Sequence, residues 1–368
     1  MAPTNIGVIG CGNISGAYLS VLKRFPAVRV AAVSDIDVGR AQKRAEEFGV
    51  PKACSVEALL ADPAIDIVIN LTIPAAHAEV ALRAIAAGKH TQCEKPFAVT
   101  REDGQKVLAA AKAKNLRVGC APGTFLGAGY QTCRKLIDEG AIGRPVGATA
   151  FMTCHGHESW HPDPEFYYKA GGGPMFDMGP YYLTALVHLL GPVKRVAGAA
   201  KISFPERTIT SQPKNGTVIK VDVPTHVTGV AEFHQGTVAT IITSFDVWRA
   251  NLPILEIYGT EGTLSCPDPN GFGGTVKLFK RSTDPAKPAE WKEVALSHGH
   301  PDQSRGIGVV DMAFAIREKR AHRTNGELAY HVLDIMHAFH DSDRAGKWVE
   351  LASTCERPAA LPVSSLAV

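Results

Sequence analysis

Glycines near the start of the chain are the residues whose type and spacing most clearly indicate chemistry. A strand-like apolar run, residues 6–9, is followed directly by Gly10-Cys11-Gly12-Asn13-Ile14-Ser15-Gly16. Gly10 permits a tight turn from strand to helix, and Gly12, which has no Cβ, lets the backbone approach a pyrophosphate at the positive end of a helix dipole. The third glycine of the G-x-G-x-x-G pattern would fall at Ser15, so an ordinary glycine-rich turn is the alternative. The spacing predicts a dinucleotide site formed by Gly10, Gly12, Asn13 and Ile14.

An acid at the end of the second apolar run indicates which dinucleotide this loop binds. Residues 30–34 lead into Asp35. In such folds an acid about 20 residues after the glycine motif binds the ribose hydroxyls. A carboxylate there accepts hydrogen bonds from the adenosine ribose and repels a 2′-phosphate. Arg40 and Lys43 could fold back toward a phosphate, although helix residues of this kind more often face solvent. The sequence predicts NAD as the cofactor, in preference to NADP.

Two polar segments follow further apolar runs, at residues 72–77 and 94–96. Strands that alternate with helices through residues 1–122 predict a parallel sheet with ligands at the carboxyl ends of its strands. Pro96 restricts the backbone of Lys95, which is expected to project from this edge beside the cofactor. The simpler interpretation of Lys95 is a surface lysine, and that of His77 is a structural residue at the start of a helix. The predicted cofactor contacts of the two segments are Thr72, His77, Glu94 and Lys95.

Composition limits the possible partners. The chain has 368 residues, a formal net charge of +3 and 20% charged residues, with no long run of Lys or Arg, so nucleic acid is not an expected partner. No apolar stretch of ~18 residues occurs and the first strand begins close to the start, so neither a membrane span nor a signal peptide is expected. Eight cysteines without a C-x-x-C pair fit reduced thiols. We expect a soluble cytoplasmic protein that acts on a small molecule.

The second part of the chain reads as strands joined by turn-rich loops. Alternating runs predict a large, open, mainly antiparallel sheet, with strands over residues 147–154, 193–204, 226–233, 237–245 and 255–258. A helix over residues 181–190 would cover one face, and the other face, left apolar, could pair two subunits into a homodimer or homotetramer. The fold prediction is α/β, with a Rossmann domain over residues 1–122 and a substrate-binding and oligomerisation domain over residues 123–368. The closing helices, predicted over 306–319 and 327–340, could pack back on the first domain.

A glycine-rich stretch in the second part gives the sequence a family likeness. It reads Gly171-Gly172-Gly173-Pro174-Met175-Phe176-Asp177-Met178-Gly179-Pro180-Tyr181. Together with the glycine loop, Asp35 and the segments at residues 72–77 and 94–96, it resembles the Gfo/Idh/MocA family of NAD(P)-dependent sugar and cyclitol oxidoreductases. The resemblance covers nearly the whole chain. It implies that Lys95 contacts the reacting hydroxyl and the cofactor ribose, and that Asp177 helps to position the substrate.

The sequence departs from that family at the usual position of the catalytic histidine, where it has Tyr181, and three residues further on, where it has Thr184 in place of an acid. Members that resemble glucose–fructose oxidoreductase and dimeric dihydrodiol dehydrogenase use a tyrosine with the lysine. Hydride leaves a carbon only as its hydroxyl proton is removed, so a base and a cation are needed. Tyrosine ordinarily has a pKa of about 10 and needs a nearby ammonium to act as a base.

The predicted catalytic set is therefore Lys95, Tyr181 and Asp177. Tyr181 takes the proton, Lys95 favours its phenolate and orients the hydroxyl, and Asp177 holds the sugar. Tyr182 ranks second as the base, and core packing is the alternative for both tyrosines.

Residues 155–169 are rich in aromatic and polar side chains. Three histidines within residues 155–161 suggest zinc, but glycine and proline indicate a loop and no second ligand cluster has recognised spacing, so no metal is predicted. Aromatic rings with polar tips suit a sugar, whose C–H faces stack while its hydroxyls are held. The predicted substrate contacts are Trp160, His161 and Tyr168, in addition to Asp177 and Tyr181; an ordered surface loop is the alternative.

Three functions fit these residues. The leading hypothesis is a dehydrogenase that oxidises a secondary alcohol of a sugar, sugar acid or cyclitol. The second is a glycoside-cleaving enzyme that oxidises transiently, eliminates and recycles its NAD. The third is a non-catalytic sensor, which would not need Lys95 beside Tyr181. Net release of NADH separates the first from the second.

Overall fold

The computed structural model describes residues 2–282, 284, 286, 288–363 and 366. Grouped by contacts, the chain forms two units. The first unit comprises the residues up to Ala128, His298–Leu333 and the tail from Leu361, and the second comprises Gly129–Ser297 and Asp334–Ala360. The predicted domain limits, 1–122 and 123–368, stay a prediction. In the observed grouping the first boundary lies six residues later than predicted, and the segment His298–Leu333 belongs to the first unit.

A six-stranded parallel sheet forms the centre of the first unit. Its strands are β1 (Thr4–Ile9), β2 (Val28–Ser34), β3 (Ala53–Cys54), β4 (Ile67–Asn70), β5 (His90–Cys93) and β6 (Val118–Cys120). Their order is β3-β2-β1-β4-β5-β6, and every pair is parallel. All four residues of β4 are buried, as expected of a strand covered on both faces. The order reverses between β1 and β4, and ligands of such sheets bind at the carboxyl ends of the strands at this point.

The described residues form ten α-helices, of which those near residues 38–48, 181–190, 306–319 and 327–340 lie close to predicted helices, whereas those that begin at residues 56, 128 and 173 were not predicted. The ten helices are α1 (Ser15–Leu22), α2 (Val38–Phe48), α3 (Val56–Ala61), α4 (His77–Ala86), α5 (Arg101–Ala113), α6 (Ala128–Asp138), α7 (Gly173–Asp177), α8 (Gly179–Leu190), α9 (Ile307–Glu318) and α10 (Gly326–Ala345). Local chemistry sets several limits: the side chains of Asp37, Ser55 and Thr100 cap α2, α3 and α5, and Gly49 ends α2 in the left-handed region. No helix among the described residues has the length and apolar character needed to cross a membrane.

A nine-stranded sheet dominates the second unit. Its strands are β7 (Pro145–Thr153), β8 (Val193–Lys201), β11 (His226–Phe233), β12 (Val238–Ser244), β13 (Leu255–Gly259), β14 (Gly262–Cys266), β15 (Val276–Lys280), β16 (Trp291–Val294) and β17 (Val349–Glu350), while β9 (Glu206–Thr208) and β10 (Val218–Lys220) pair separately. The order is β16-β15-β14-β13-β7-β12-β11-β8-β17. Only β7 and β12 pair in parallel among the described strands of this sheet. The predicted fold class is confirmed.

The two faces of this sheet differ. Helices α7 and α8 contact strands β7, β11 and β12, and every residue of α8 is buried. Along β7 the alternate residues Ala148, Ala150 and Met152 are buried, whereas Thr149 and Phe151 between them are only partly covered. Thr149 lies within hydrogen-bond distance of the Tyr258 hydroxyl, at 3.0 Å. The uncovered face is therefore of mixed polarity rather than apolar as expected, because threonines alternate with its larger side chains.

Candidate active site

The glycine loop between β1 and α1 is closed on one side and open on the other. Gly10 has φ of 101°, and its N–H donates to the Ser34 carbonyl at 2.8 Å. A Cβ on Gly10 would lie 2.6 Å from the carbonyl carbon and oxygen of Leu71, whereas a Cβ on Gly12 would have no atom of the described residues within 4 Å beyond its chain neighbours. Ser15, in place of a third glycine, donates its hydroxyl to the Gly12 carbonyl at 2.6 Å. The open position is the one from which a ligand can approach the backbone.

Asp35 is held at the carboxyl end of β2 by backbone groups. The Cys11 N–H donates to Oδ2 at 2.7 Å and the Asp37 N–H donates to Oδ1 at 2.9 Å. Arg40 lies 3.4 Å from Oδ1 with its side chain half exposed, which makes the pair weak. Arg44, one turn further along α2, lies 3.4 Å from the Gly12 carbonyl; sequence reasoning missed it, although its spacing from Arg40 places both on one helix face.

These features fit a dinucleotide. An open Cβ position at Gly12 leaves room for a pyrophosphate against the backbone, and the carboxylate of Asp35 is an acceptor that suits ribose hydroxyls. The residues that would hold NAD are Gly10, Gly12, Asn13 and Ile14, through their backbone, and Asp35.

Asn70, the last residue of β4, organises the loop that follows it. Its amide donates to the His77 carbonyl at 2.9 Å, and its Oδ1 accepts the hydroxyl of Thr72 at 2.7 Å. No role was predicted for Asn70 from the sequence. Because Asn70 is fully buried, these bonds fix the position of the Thr72 backbone at the carboxyl edge of the sheet.

His77 joins this loop to the next one. Its ring is fully buried, with Nδ1 2.7 Å from the Pro96 carbonyl and Nε2 3.0 Å from the Thr72 carbonyl. Burial lowers the pKa of His77. Both ring nitrogens thus face protein carbonyls, so the structure gives His77 a role in holding two loops together rather than in contacting the cofactor through its side chain.

Glu94 fixes the backbone of Lys95 at the end of β5. The Tyr18 hydroxyl donates to Oε1 at 2.7 Å, and the Lys95 N–H donates to Oε2 at 2.9 Å. The Lys95–Pro96 peptide bond is cis. Glu94 is buried while Lys95 is half-buried. The predicted cofactor contact Glu94 therefore serves to hold its neighbour, and Lys95 is the residue of this segment that is accessible at the sheet edge.

The second unit carries the other predicted catalytic residues on two consecutive helices. Asp177 is the last residue of α7, and Tyr181 lies in the first turn of α8. Tyr182 is also buried, and its burial raises the pKa of the Tyr182 hydroxyl. A raised pKa leaves less of the phenolate present near neutral pH, so this environment disfavours Tyr182 for the role of base.

Of the three predicted substrate-contacting side chains in the loop after β7, two are accessible. Trp160 is 61% exposed, and His161 accepts the Asp163 N–H at Nδ1, at 3.0 Å. Tyr168 has 0% exposure, and its hydroxyl donates to Glu158 in a short hydrogen bond. That position gives Tyr168 a packing role and leaves no ring face for a sugar, so the prediction of Tyr168 as a substrate contact is corrected.

An unassigned residue of the same loop reaches Asp177. His157 Nε2 lies 3.4 Å from Asp177 Oδ2. The sequence analysis grouped this histidine with two others as possible zinc ligands; across the described ranges, no group of three or more His, Cys, Asp or Glu side chains is placed to hold a metal ion. No local pattern pairs residues separated by 20 positions, so no sequence signal pointed to this contact.

Comparison with known proteins identifies the family. The model of the oxidoreductase family with an NAD-binding Rossmann fold matches residues 4–121, and the GFO/IDH/MocA C-terminal domain matches residues 130–265. The chain belongs to the Gfo/Idh/MocA family. The predicted family is confirmed, and with it an NAD-binding oxidoreductase.

Several relatives extend over most of the chain. It is 29% identical to 1,5-anhydro-D-fructose reductase of Ensifer adhaerens, over 86% of this chain and 96% of that protein. It is 30% identical to levoglucosan dehydrogenase of Pseudarthrobacter phenanthrenivorans, over 72% of this chain and 73% of that protein. The structure is similar to levoglucosan dehydrogenase in complex with NADH and levoglucosan, with a TM-score of 0.79, 25% identity, and coverage of 95% of this chain and 100% of that one.

Proposed function

We propose that this protein is an NAD-dependent dehydrogenase that oxidises a secondary hydroxyl of a sugar, sugar acid or cyclitol. The observation that carries the proposal is the position of Lys95. It follows β5 directly, its backbone is fixed by Glu94, and it is accessible at the carboxyl edge of the sheet that also presents the glycine loop and Asp35. The relatives named above, a 1,5-anhydro-D-fructose reductase and a levoglucosan dehydrogenase, support the substrate class.

The first unit would hold the cofactor through the backbone of the glycine loop and through Asp35. Bound NAD supplies the acceptor for the hydride. Because Asp35 already accepts two backbone N–H groups, its carboxylate is fixed in place, and a fixed negative charge repels a 2′-phosphate. The side chain of Arg40 offsets part of that charge but is half exposed to solvent. NAD is therefore the preferred cofactor.

Three side chains would act on the substrate. The ammonium of Lys95 stabilises the developing alkoxide, and the phenolate form of Tyr181 takes up the proton of the reacting hydroxyl. Asp177 accepts a hydrogen bond from a neighbouring substrate hydroxyl. Trp160, which is largely exposed, offers a ring face for the C–H surface of a sugar, and His161 lies next to it in contact with its ring edge.

The test is NADH formation, followed by absorbance, across a panel of aldoses, sugar acids, inositols, anhydrosugars and glycosides. Lys95→Ala is expected to abolish turnover while NADH binding, measured by fluorescence, is weakened but retained. Lys106→Ala is the matched control, since that lysine lies on the exposed face of α5 in an ion pair with Asp103. Cofactor binding without net NADH formation would overturn the proposal in favour of redox recycling or a sensor.

We further propose a homodimer or homotetramer formed through the uncovered face of the nine-stranded sheet, and a cytoplasmic location. The partly covered side chains on that face, which include Phe151 and Ile242, support the assembly. All eight cysteines, each within the described residues, are free thiols, which supports a reducing compartment. Light scattering at micromolar concentration should give a multiple of the monomer mass, and Phe151→Glu should lower it. A monomeric mass for the wild-type protein would refute the assembly.

A further inference from the structure

His157 and Asp177 come from separate elements of the second unit and meet with little exposure to solvent. His157 lies in the loop after β7, and Asp177 ends α7. Nε2 and Oδ2 are 3.4 Å apart, and the two side chains are only 10% and 15% exposed. A histidine ring this close to a partly buried carboxylate can fix the orientation of the carboxylate by a hydrogen bond. This requires that Nε2 of the ring carries a proton.

The surroundings of the ring decide where that proton is. Nδ1 of His157 is buried and has no hydrogen-bond partner among the described residues. The rings of Tyr167 and Phe245 lie 4.1 and 4.6 Å away, centroid to centroid. A proton on Nδ1 would bury an unpaired donor and turn a lone pair on Nε2 toward the carboxylate. A proton on Nε2 instead forms a hydrogen bond to Asp177, so the neutral ring carries it there.

Other contacts hold the ring in this orientation. The backbone N–H of His157 donates to the Tyr168 hydroxyl at 3.3 Å. Tyr168 in turn donates to Glu158, which forms an ion pair of 2.8 Å with Arg207. Because this network is buried, it fixes the loop that carries His157 in the absence of a ligand.

We propose that His157 is a positioning residue for the reaction. Its Nε2–H holds one oxygen of the Asp177 carboxylate and thereby orients that carboxylate for a hydrogen bond with a substrate hydroxyl. The inference rests on the proposed function, in which Asp177 contacts the sugar. It adds a residue that acts through Asp177 and that does not touch the substrate.

Two variants separate the hydrogen bond from the packing. His157→Phe keeps an aromatic ring among Tyr167 and Phe245 but removes the donor, and His157→Gln places an amide N–H near the position of Nε2. We expect kcat/KM to fall about ten-fold in His157→Phe, as for loss of one hydrogen bond to a charged group, mainly through KM. His157→Gln should recover most of this loss. Melting temperature and NADH binding, which serve as folding controls, should stay near wild type in both variants.

A double-mutant cycle with Asp177→Asn tests whether His157 acts through that carboxylate. In the Asp177→Asn background, His157→Phe should cause little further loss. Nitrogen NMR of the imidazole, assigned by comparison with His157→Gln, gives a readout that is independent of activity, and it should show the Nε2–H tautomer.

Three results would overturn the proposal: the Nδ1–H tautomer, full activity in a folded His157→Phe variant, or the same loss with and without Asp177. Failure of the proposed function has a different signature. In that case the wild-type protein forms no NADH from any substrate in the panel, and the tautomer measurement still decides whether His157 donates to Asp177.

Discussion

Two glycines of the same loop should respond in opposite ways to alanine. Gly10 combines φ of 101° with a Cβ position 2.6 Å from the Leu71 carbonyl. Backbone strain of about 1–3 kcal/mol and overpacking of about the same size together predict a loss of about 2–6 kcal/mol in the free energy of unfolding for Gly10→Ala. Gly12 lacks both penalties, and Gly12→Ala should change stability by less than about 1 kcal/mol, in the stabilising direction.

Cofactor affinity should show the reverse pattern for Gly12. Its added methyl would occupy the open side of the loop, where we place the pyrophosphate, and we expect NADH to bind about 10–100-fold more weakly. The assays are thermal or urea unfolding without cofactor and fluorescence titration with NADH. A Gly12→Ala variant that is strongly destabilised, or that binds NADH as tightly as wild type, would refute the assignment of this loop as the pyrophosphate site.

Three further predictions follow from individual side chains. Asp35→Ser should shift the ratio of kcat/KM for NADP to that for NAD by about ten-fold or more toward NADP, because Arg40 is then left to meet a 2′-phosphate; an unchanged ratio would contradict the role of Asp35. Tyr181→Phe should lower kcat by about 100-fold or more, whereas Tyr182→Phe, at the neighbouring buried position, should change it only a few-fold; the opposite result would exchange their roles. Burial lowers the pKa of His322 from 6.5 to about 4, so the unfolded chain takes up a proton before the folded one does. The contribution of His322 to the free energy of unfolding should therefore be fully present above pH 6.5. It should be lost as the pH falls from about 6.5 toward about 4, and the loss should be about 3 kcal/mol at most. Urea midpoints measured across this pH range should fall less steeply in His322→Gln than in the wild-type protein. Equal slopes in the two proteins would argue against His322 as a source of the pH dependence of stability.

The parts of the first unit that sequence predicts well are those set by local chemistry. The pattern predicts a helix over residues 38–48, and α2 covers Val38–Phe48 because Asp37 caps its start and Gly49 ends it. Gly10 and Asp35 follow β1 and β2 directly, so their place at the sheet edge follows from the strands alone. Such features need no knowledge of distant contacts, since each depends on residues within a turn or a strand.

Other features depend on contacts between distant residues and were missed. The strands β14, β15 and β16 are not predicted, because all three segments are short and those of β15 and β16 carry exposed polar residues that weaken the alternation. Tyr168 looked suited to a sugar, yet Glu158 and Arg207 bury it. An aromatic residue with a polar tip serves equally for a buried hydrogen bond and for a ligand, and only its neighbours distinguish the two.

The imidazole beside Asp177 shows the same limit at the site itself. The family usually has a histidine four residues after this aspartate, and here that position is Tyr181, so the motif supplies no imidazole at that position. The structure brings His157 to 3.4 Å from Asp177 from a different element. A motif specifies residues at fixed spacing along the chain, whereas a carboxylate can accept a hydrogen bond from any donor that the fold brings within reach. The substitution at position 181 therefore does not remove an imidazole from the surroundings of Asp177, and it leaves position 181 free to carry the tyrosine that we propose as the base.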